Sequence, residues 1–169
     1  MGGKVGKVRL PNMVEAWTFS SSQYVKEAVA NVETYLKDLD GSKLSTKINA
    51  PLSNDYRPDF DDYSELESAD AAYYHFLIGI LRWMVELGRL DICCEVSMMS
   101  SHLALPREGH LAQVFHIFAY LKKHHNTRLV FDPSYPEIDP NTFVHHDWTK
   151  FYGNVKEALP PDMPKPLGK

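Results

Sequence analysis

Between residues 71 and 132 a single proline, Pro106, interrupts the chain, whereas seven of the eleven prolines fall after residue 132. Proline breaks a helix interior because it lacks the N–H and crowds the preceding turn. Long helices therefore fit the first stretch and not the second. Apolar residues in the first stretch recur at three- and four-residue steps, the period of a helix with one buried face. Phe76, Leu77, Ile80, Leu81, Met84 and Leu87 make such a face over about residues 70–87, and Gly88 ends it. Asp91 opens the next helix, where a carboxylate suits the positive end of the helix dipole, with Ile92, Val96, Met99 and Leu103 as its stripe. Pro106 fits the first turn of a further helix whose inward positions are Leu111, Val114, Phe115, Phe118 and Leu121. Cys93 and Cys94 read as small residues on a buried helix face.

The flanking segments read differently. Residues 4–10 and 15–19 surround Pro11-Asn12, which predicts a β-hairpin. Ser20 with Gln23 has the spacing of a capping box that opens a helix. Its apolar positions are Tyr24, Val25, Ala28, Val29, Val32 and Leu36, and Gly41 closes it. Residues 51–70 carry seven acids against Arg57 alone, with Pro51 and Pro58, and read as an extended, solvated acidic linker. Residues 129–131 suit a short strand, and the proline-rich residues 133–169 suit an extended connecting tail. The expected fold is mainly α: a short N-terminal β-hairpin and a helix over 1–50, an acidic linker over 51–70, a three-helix cluster over 71–132, then the tail.

Charge and chemistry narrow the function. The net charge of -4 excludes a clamp that holds nucleic acid by bulk charge and leaves room for a local basic patch. The longest apolar run, residues 76–81, is too short to span a bilayer, and the N-terminus lacks the pattern of a signal peptide, so an intracellular protein without a membrane partner is expected. Adjacent cysteines cannot frame a disulfide scaffold and lack Cys-x-x-Cys spacing. The run Gly2-Gly3-Lys4-Val5-Gly6-Lys7 has Val8 where a phosphate-binding loop needs a hydroxyl, so a turn into the hairpin is the better reading. Asp59, Asp61 and Asp62 pair carboxylates as two-metal enzymes do, but inside an acidic run with no third carboxylate on a separate strand. The eight histidines lack zinc-ligand spacing, and no nucleophile elbow occurs. No catalytic residue, metal ligand or cofactor is expected in this chain. The basic residues remain as candidate phosphate neighbours: Lys4, Lys7 and Arg9 on the hairpin, Lys26 on the first helix, and Lys122, Lys123 and Arg128 around the end of the last helix, where dipole compensation also explains cations.

Several passages in order resemble a known family. They are Ser20-Ser21-Ser22-Gln23-Tyr24-Val25-Lys26, the run Tyr73 to Trp83, Gly88-Arg89-Leu90-Asp91-Ile92, then Pro106 to His110, and Tyr120-Leu121-Lys122. This order resembles the copia-type reverse transcriptase of LTR retrotransposons over about residues 1–132, in the stretch between the polymerase palm and the ribonuclease H domain. That family shows Ser-Gln-x-x-Tyr, Tyr-x-x-x-x-Gly-x-Leu, Arg-Pro-Asp-Ile, Pro-x-x-x-His and Tyr-Leu-Lys; here Leu90 replaces the proline. The resemblance implies a non-catalytic thumb and connection segment that positions an RNA–DNA hybrid or duplex by weak phosphate contacts. It also implies that the palm motif Tyr-x-Asp-Asp lies upstream of residue 1 and the ribonuclease H aspartates lie beyond Lys169. Those two domains would be its partners, and the parent polymerase would use magnesium. The alternative from a different class is a small helical protein-interaction module.

Overall fold

A computed structural model describes residues 3–134 together with Lys150 and Gly153. Nearly all of the expected proline-rich tail therefore lies outside the described residues.

The hairpin forms as β1 (Lys4–Arg9) and β2 (Glu15–Ser20), paired antiparallel with Lys7 opposite Trp17 and Arg9 opposite Glu15. Its turn holds Met13 at φ 67°, and the Asn12 side chain accepts the Val14 N–H at 3.1 Å. An asparagine carboxamide that satisfies a nearby backbone donor is the usual chemistry of such a turn. Helix α1 (Ser22–Leu39) follows with Val25, Ala28, Val29, Val32 and Leu36 buried. The capping box does not form. Ser20 Oγ accepts the Ser22 N–H at 3.3 Å, while Gln23 reaches forward to Glu27 at 2.8 Å, so the helix begins at Ser22, the last of the serine run, without a side-chain cap. At its far end Gly41 takes φ +77°, and its N–H donates to the Lys37 carbonyl at 3.1 Å.

Helix α2 (Ser68–Glu86) starts two residues earlier than the periodicity indicates. Tyr74, Leu77, Ile78, Leu81 and Met84 face inward, and Phe76, expected in the core, is 60% exposed. Tyr74 and Ile78 are four residues apart and complete the stripe through Leu77 and Leu81, which turns Phe76 to the far side of the helix. A 3-10 turn (Leu90–Ile92) precedes α3 (Cys93–Ser100). Asp91 lies in this 3-10 turn just ahead of α3 and makes a two-point ion pair with Arg89 at 2.8 and 2.7 Å. Cys93 and Cys94 are exposed, because Val96 and Met99 take the inward positions of this short helix. Leu90 opens the 3-10 turn, a position where a proline's missing N–H carries no penalty, so either residue fits.

Helix α4 (Glu108–Lys123) buries Val114, Ile117, Phe118 and Leu121, while Leu111 and Phe115 are half-buried. Pro106 is buried just ahead of it. After α4 the chain forms β3 (Leu129–Phe131), which pairs antiparallel with β2 and makes a three-stranded sheet in the order β1-β2-β3. Among the described residues the fold is thus four α-helices and one small antiparallel sheet, with α1 packed chiefly on α4 and α2 on α3 and α4. No helix among the described residues is long and apolar enough to cross a membrane.

The acidic segment is not a solvated spacer. It is a strap along α4: Gln113 accepts the Ser53 N–H at 3.3 Å, and Glu108 N–H donates to the Ser64 carbonyl at 3.0 Å. His116 Nε2 donates to the Ala50 carbonyl at 3.1 Å. Pro58 is buried, and the Asp61 side chain is wholly buried, accepting from the Tyr56 hydroxyl and, at 3.0 Å, from the Tyr63 N–H. Composition alone misreads the strap because a carboxylate supplied with donors can be buried, and its neighbours Asp59 and Asp62 stay in solvent.

Candidate nucleic-acid interface

Helix α1 has a second stripe, flanking the one that builds the core. Lys26, Ala30, Glu33 and Lys37 recur at four-, three- and four-residue steps and share one outward face. That face forms one wall of a cleft of about 440 Å³ lined by Ala30, Glu33, Thr34, Lys37, Lys43 and Lys122. A smaller hollow of about 170 Å³ continues it past Lys26, Val29 and His125. The left-handed Gly41 lets the chain turn back after α1, which brings Lys43 to the cleft. The end of α4 supplies the other wall. Lys122 Nζ donates to Glu33 Oε1 at 2.7 Å and to the Leu44 carbonyl at 3.2 Å.

The cleft therefore gathers four lysines around one glutamate, with Lys122 neutralised by Glu33 and Lys26, Lys37 and Lys43 exposed. Oriented ammonium groups along a helix can neutralise a polyanion's phosphates without reading bases.

The residues singled out in the sequence separate into distinct places. Lys26 and Lys122 meet at the cleft. Lys7 and Arg9 share one face of β1, and Lys4 lies on the other, since alternate strand residues point to opposite sides. Lys7 Nζ sits 3.4 Å from Glu15 and 5.0 Å from the centre of the Trp17 ring. Lys123 hydrogen-bonds Asn49, and Arg128 is exposed just before β3. The hairpin cations thus cannot present a single row. Lys37 and Lys43 were not singled out by sequence reasoning. The regular outward spacing of Lys26, Glu33 and Lys37 is the signal that finds Lys37, whereas Lys43 reaches the cleft only through the turn at Gly41.

A second cluster of titratable groups lies where the strap meets α4. His102 and His110 stack with ring centres 4.3 Å apart. His110 Nδ1 accepts the Arg107 N–H at 3.0 Å, so Nε2 carries the proton and donates to the Pro58 carbonyl at 3.1 Å. Burial, then the neighbouring His110, pushes His102 below the ordinary histidine range, although Asp59 at 3.6 Å and Asp61 pull it back. Burial pushes the Asp91 carboxyl up, and the Arg89 pair with the Tyr120 hydroxyl at 3.0 Å outweighs it, holding Asp91 below the usual carboxylate value. Among the described residues no three His, Cys, Asp or Glu stand where they could share one metal ion.

No family model matches the chain, and no curated protein or solved structure matches it. The residues that carry the family resemblance are, in this structure, mostly fold-holding. Tyr74 donates its hydroxyl to the buried Met99 carbonyl at 2.7 Å, Arg89 pairs with Asp91, His110 ties the strap, and Tyr120 reaches Asp91. Lys26 and Lys122 also line the cleft.

Proposed function

We propose that this chain is a non-catalytic duplex-positioning segment of an RNA-directed DNA polymerase of the copia type, holding an RNA–DNA hybrid or duplex through its phosphates. The observation that carries this reading is the lysine cleft between α1 and the end of α4, where the exposed Lys26, Lys37 and Lys43 surround the Lys122–Glu33 pair. Three exposed cations, unpaired among the described residues, are few, and the net charge of -4 opposes approach, so binding is weak and without sequence preference. The chemistry of the parent enzyme would belong to magnesium-bound aspartates in the palm, outside this chain. A labelled RNA–DNA hybrid titrated at low salt tests the reading: weak binding that fades as salt rises is expected. Absence of binding at low salt overturns it. Primer extension with magnesium and nucleotides should stay at background for the isolated chain, and extension that disappears on Asp61→Asn with Asp62→Asn would assign the strap a catalytic role instead.

One observation favours the interaction-module reading. Trp17 and Phe131 sit directly opposite each other on the sheet and are 55% and 56% exposed, while Ala16 and Thr18 on the reverse face are buried. A sheet that turns its aromatics to solvent offers a patch to a protein partner.

A further inference from the structure

The two hollows of the lysine cleft meet over one ion pair. Ala30, Glu33 and Lys122 line both of them, while Lys26 belongs to the smaller hollow and Lys37 and Lys43 to the larger. Lys26 and Lys37 are eleven residues apart, about 16 Å along α1 at 1.5 Å per residue, and Glu33 lies between them. A strand that touches Lys26 at one end and Lys37 or Lys43 at the other therefore passes over the Glu33 carboxylate. An acid in the middle of such a path repels the phosphates that the lysines attract.

The Lys122 ammonium does not depend on Glu33 alone for its position. Its Nζ donates to the Leu44 carbonyl at 3.2 Å as well as to Glu33 Oε1 at 2.7 Å, and an ammonium has three N–H donors. Leu44 is buried, so its carbonyl is a fixed anchor. Glu33, by contrast, has Lys122 as its one hydrogen-bond partner among the described residues. The two side chains are 28% and 32% exposed, so ions from solution reach the pair. A carboxylate oxygen at 2.7 Å from an ammonium takes the place that a phosphate oxygen takes in the same charge-assisted contact.

We infer that Glu33 is an internal stand-in for a phosphate, and that Lys122 is a fourth phosphate-binding residue which this contact holds in reserve. The inference rests on the proposed function and adds an autoinhibitory contact to the same cleft. Weak binding is then a property set by one side chain: three lysines hold the strand, and the chain's own carboxylate caps the fourth. Once the carboxylate charge is gone, the Leu44 carbonyl still aims the ammonium into the cleft. A pair that only tied α1 to the end of α4 would act on stability and leave the number of phosphates contacted unchanged.

Titration of a labelled RNA–DNA hybrid with the full chain at stepped salt tests it. Glu33→Gln keeps the side-chain length and an oxygen acceptor while removing the charge. One more phosphate contact should steepen the slope of log affinity against log salt from about -2.7 to about -3.6. Between about 50 and about 200 mM salt the loss of binding should grow from about 40-fold to about 150-fold, with tighter binding than wild type at the low-salt end. Adding Lys122→Met to Glu33→Gln should return the slope to about -2.7. Glu86→Gln, at an exposed position on α2, makes the same change in net charge and should leave the slope alone. The melting temperature of Glu33→Gln should stay close to that of the wild type, because an ion pair open to solvent adds little stability. A wild type that binds while Glu33→Gln keeps its slope overturns the inference alone, as does an equal steepening by Glu86→Gln or a slope that stays steep without Lys122. Binding by Glu33→Gln but not by the wild type would support the capped lysine and count against the proposed function. Absence of binding by both chains at low salt overturns both.

Discussion

Replacing Lys26, Lys37 and Lys43 together by Ala isolates the contribution of the cleft. All three are exposed and away from the core, so each change should move stability by no more than about 0.5 kcal/mol. Lys122 is held by Glu33 at 2.7 Å and contributes little net charge, which leaves three cations to displace counterions. At about 0.9 per phosphate the slope of log affinity against log salt should be about -2.7, so raising salt from about 50 to about 200 mM weakens hybrid binding about 40-fold. The triple variant should bind with a slope between zero and about -1. The matching change of Lys4, Lys7 and Arg9 should shift the slope by about one at most, since Lys4 points away from the other two and Lys7 already sits beside Glu15. Fluorescence anisotropy of a labelled hybrid at stepped salt reads both slopes. Equal losses from the two sets, or a larger loss from the hairpin set, would refute the assignment of the phosphate-facing surface to α1 and α4.

Phe118 is fully buried in α4 and Phe115 only half-buried, so Phe118→Ala should cost roughly 3–5 kcal/mol in urea unfolding and Phe115→Ala about half as much. At Gly109 a Cβ would run into the Asp61 carboxylate, itself fixed by Tyr56 and Tyr63; Gly109→Ala should therefore destabilise by about 1–3 kcal/mol although alanine favours the helix, and unchanged stability would show that the strap yields freely. Burial, with His110 alongside, keeps the folded-state pKa of His102 below its unfolded value, so the unfolded chain binds more protons as pH falls through the ordinary histidine range. Denaturant melts should show stability that is full above about pH 6.5 and declines below it, and His102→Gln should flatten that decline.

The amino-acid sequence determined the local elements of this protein. The hairpin around Pro11-Asn12, the helix with its stripe from Val25 to Leu36, and the helix ending in Lys122-Lys123 all follow from turn residues and from the two- and 3.6-residue periods. Those signals are carried by neighbours in sequence, so they survive without knowledge of the rest of the chain. Which flank of a two-sided apolar helix is buried is a different matter. In α2 the choice between Phe76 and Tyr74 depends on α3 and α4, because Tyr74 finds the Met99 carbonyl and Phe76 finds no cover among the described residues. The same holds for the strap: a run of acids reads as solvated until Tyr56, Tyr63 and the start of α4 supply donors and packing around Asp61. The cleft was half legible. Lys26 and Lys122 stand 96 positions apart in sequence, and only the packing of α1 on α4 gives them a common wall, while Lys43 joins them through one left-handed glycine. Periodicity specifies which residues share a face of one element, and tertiary packing decides which faces meet.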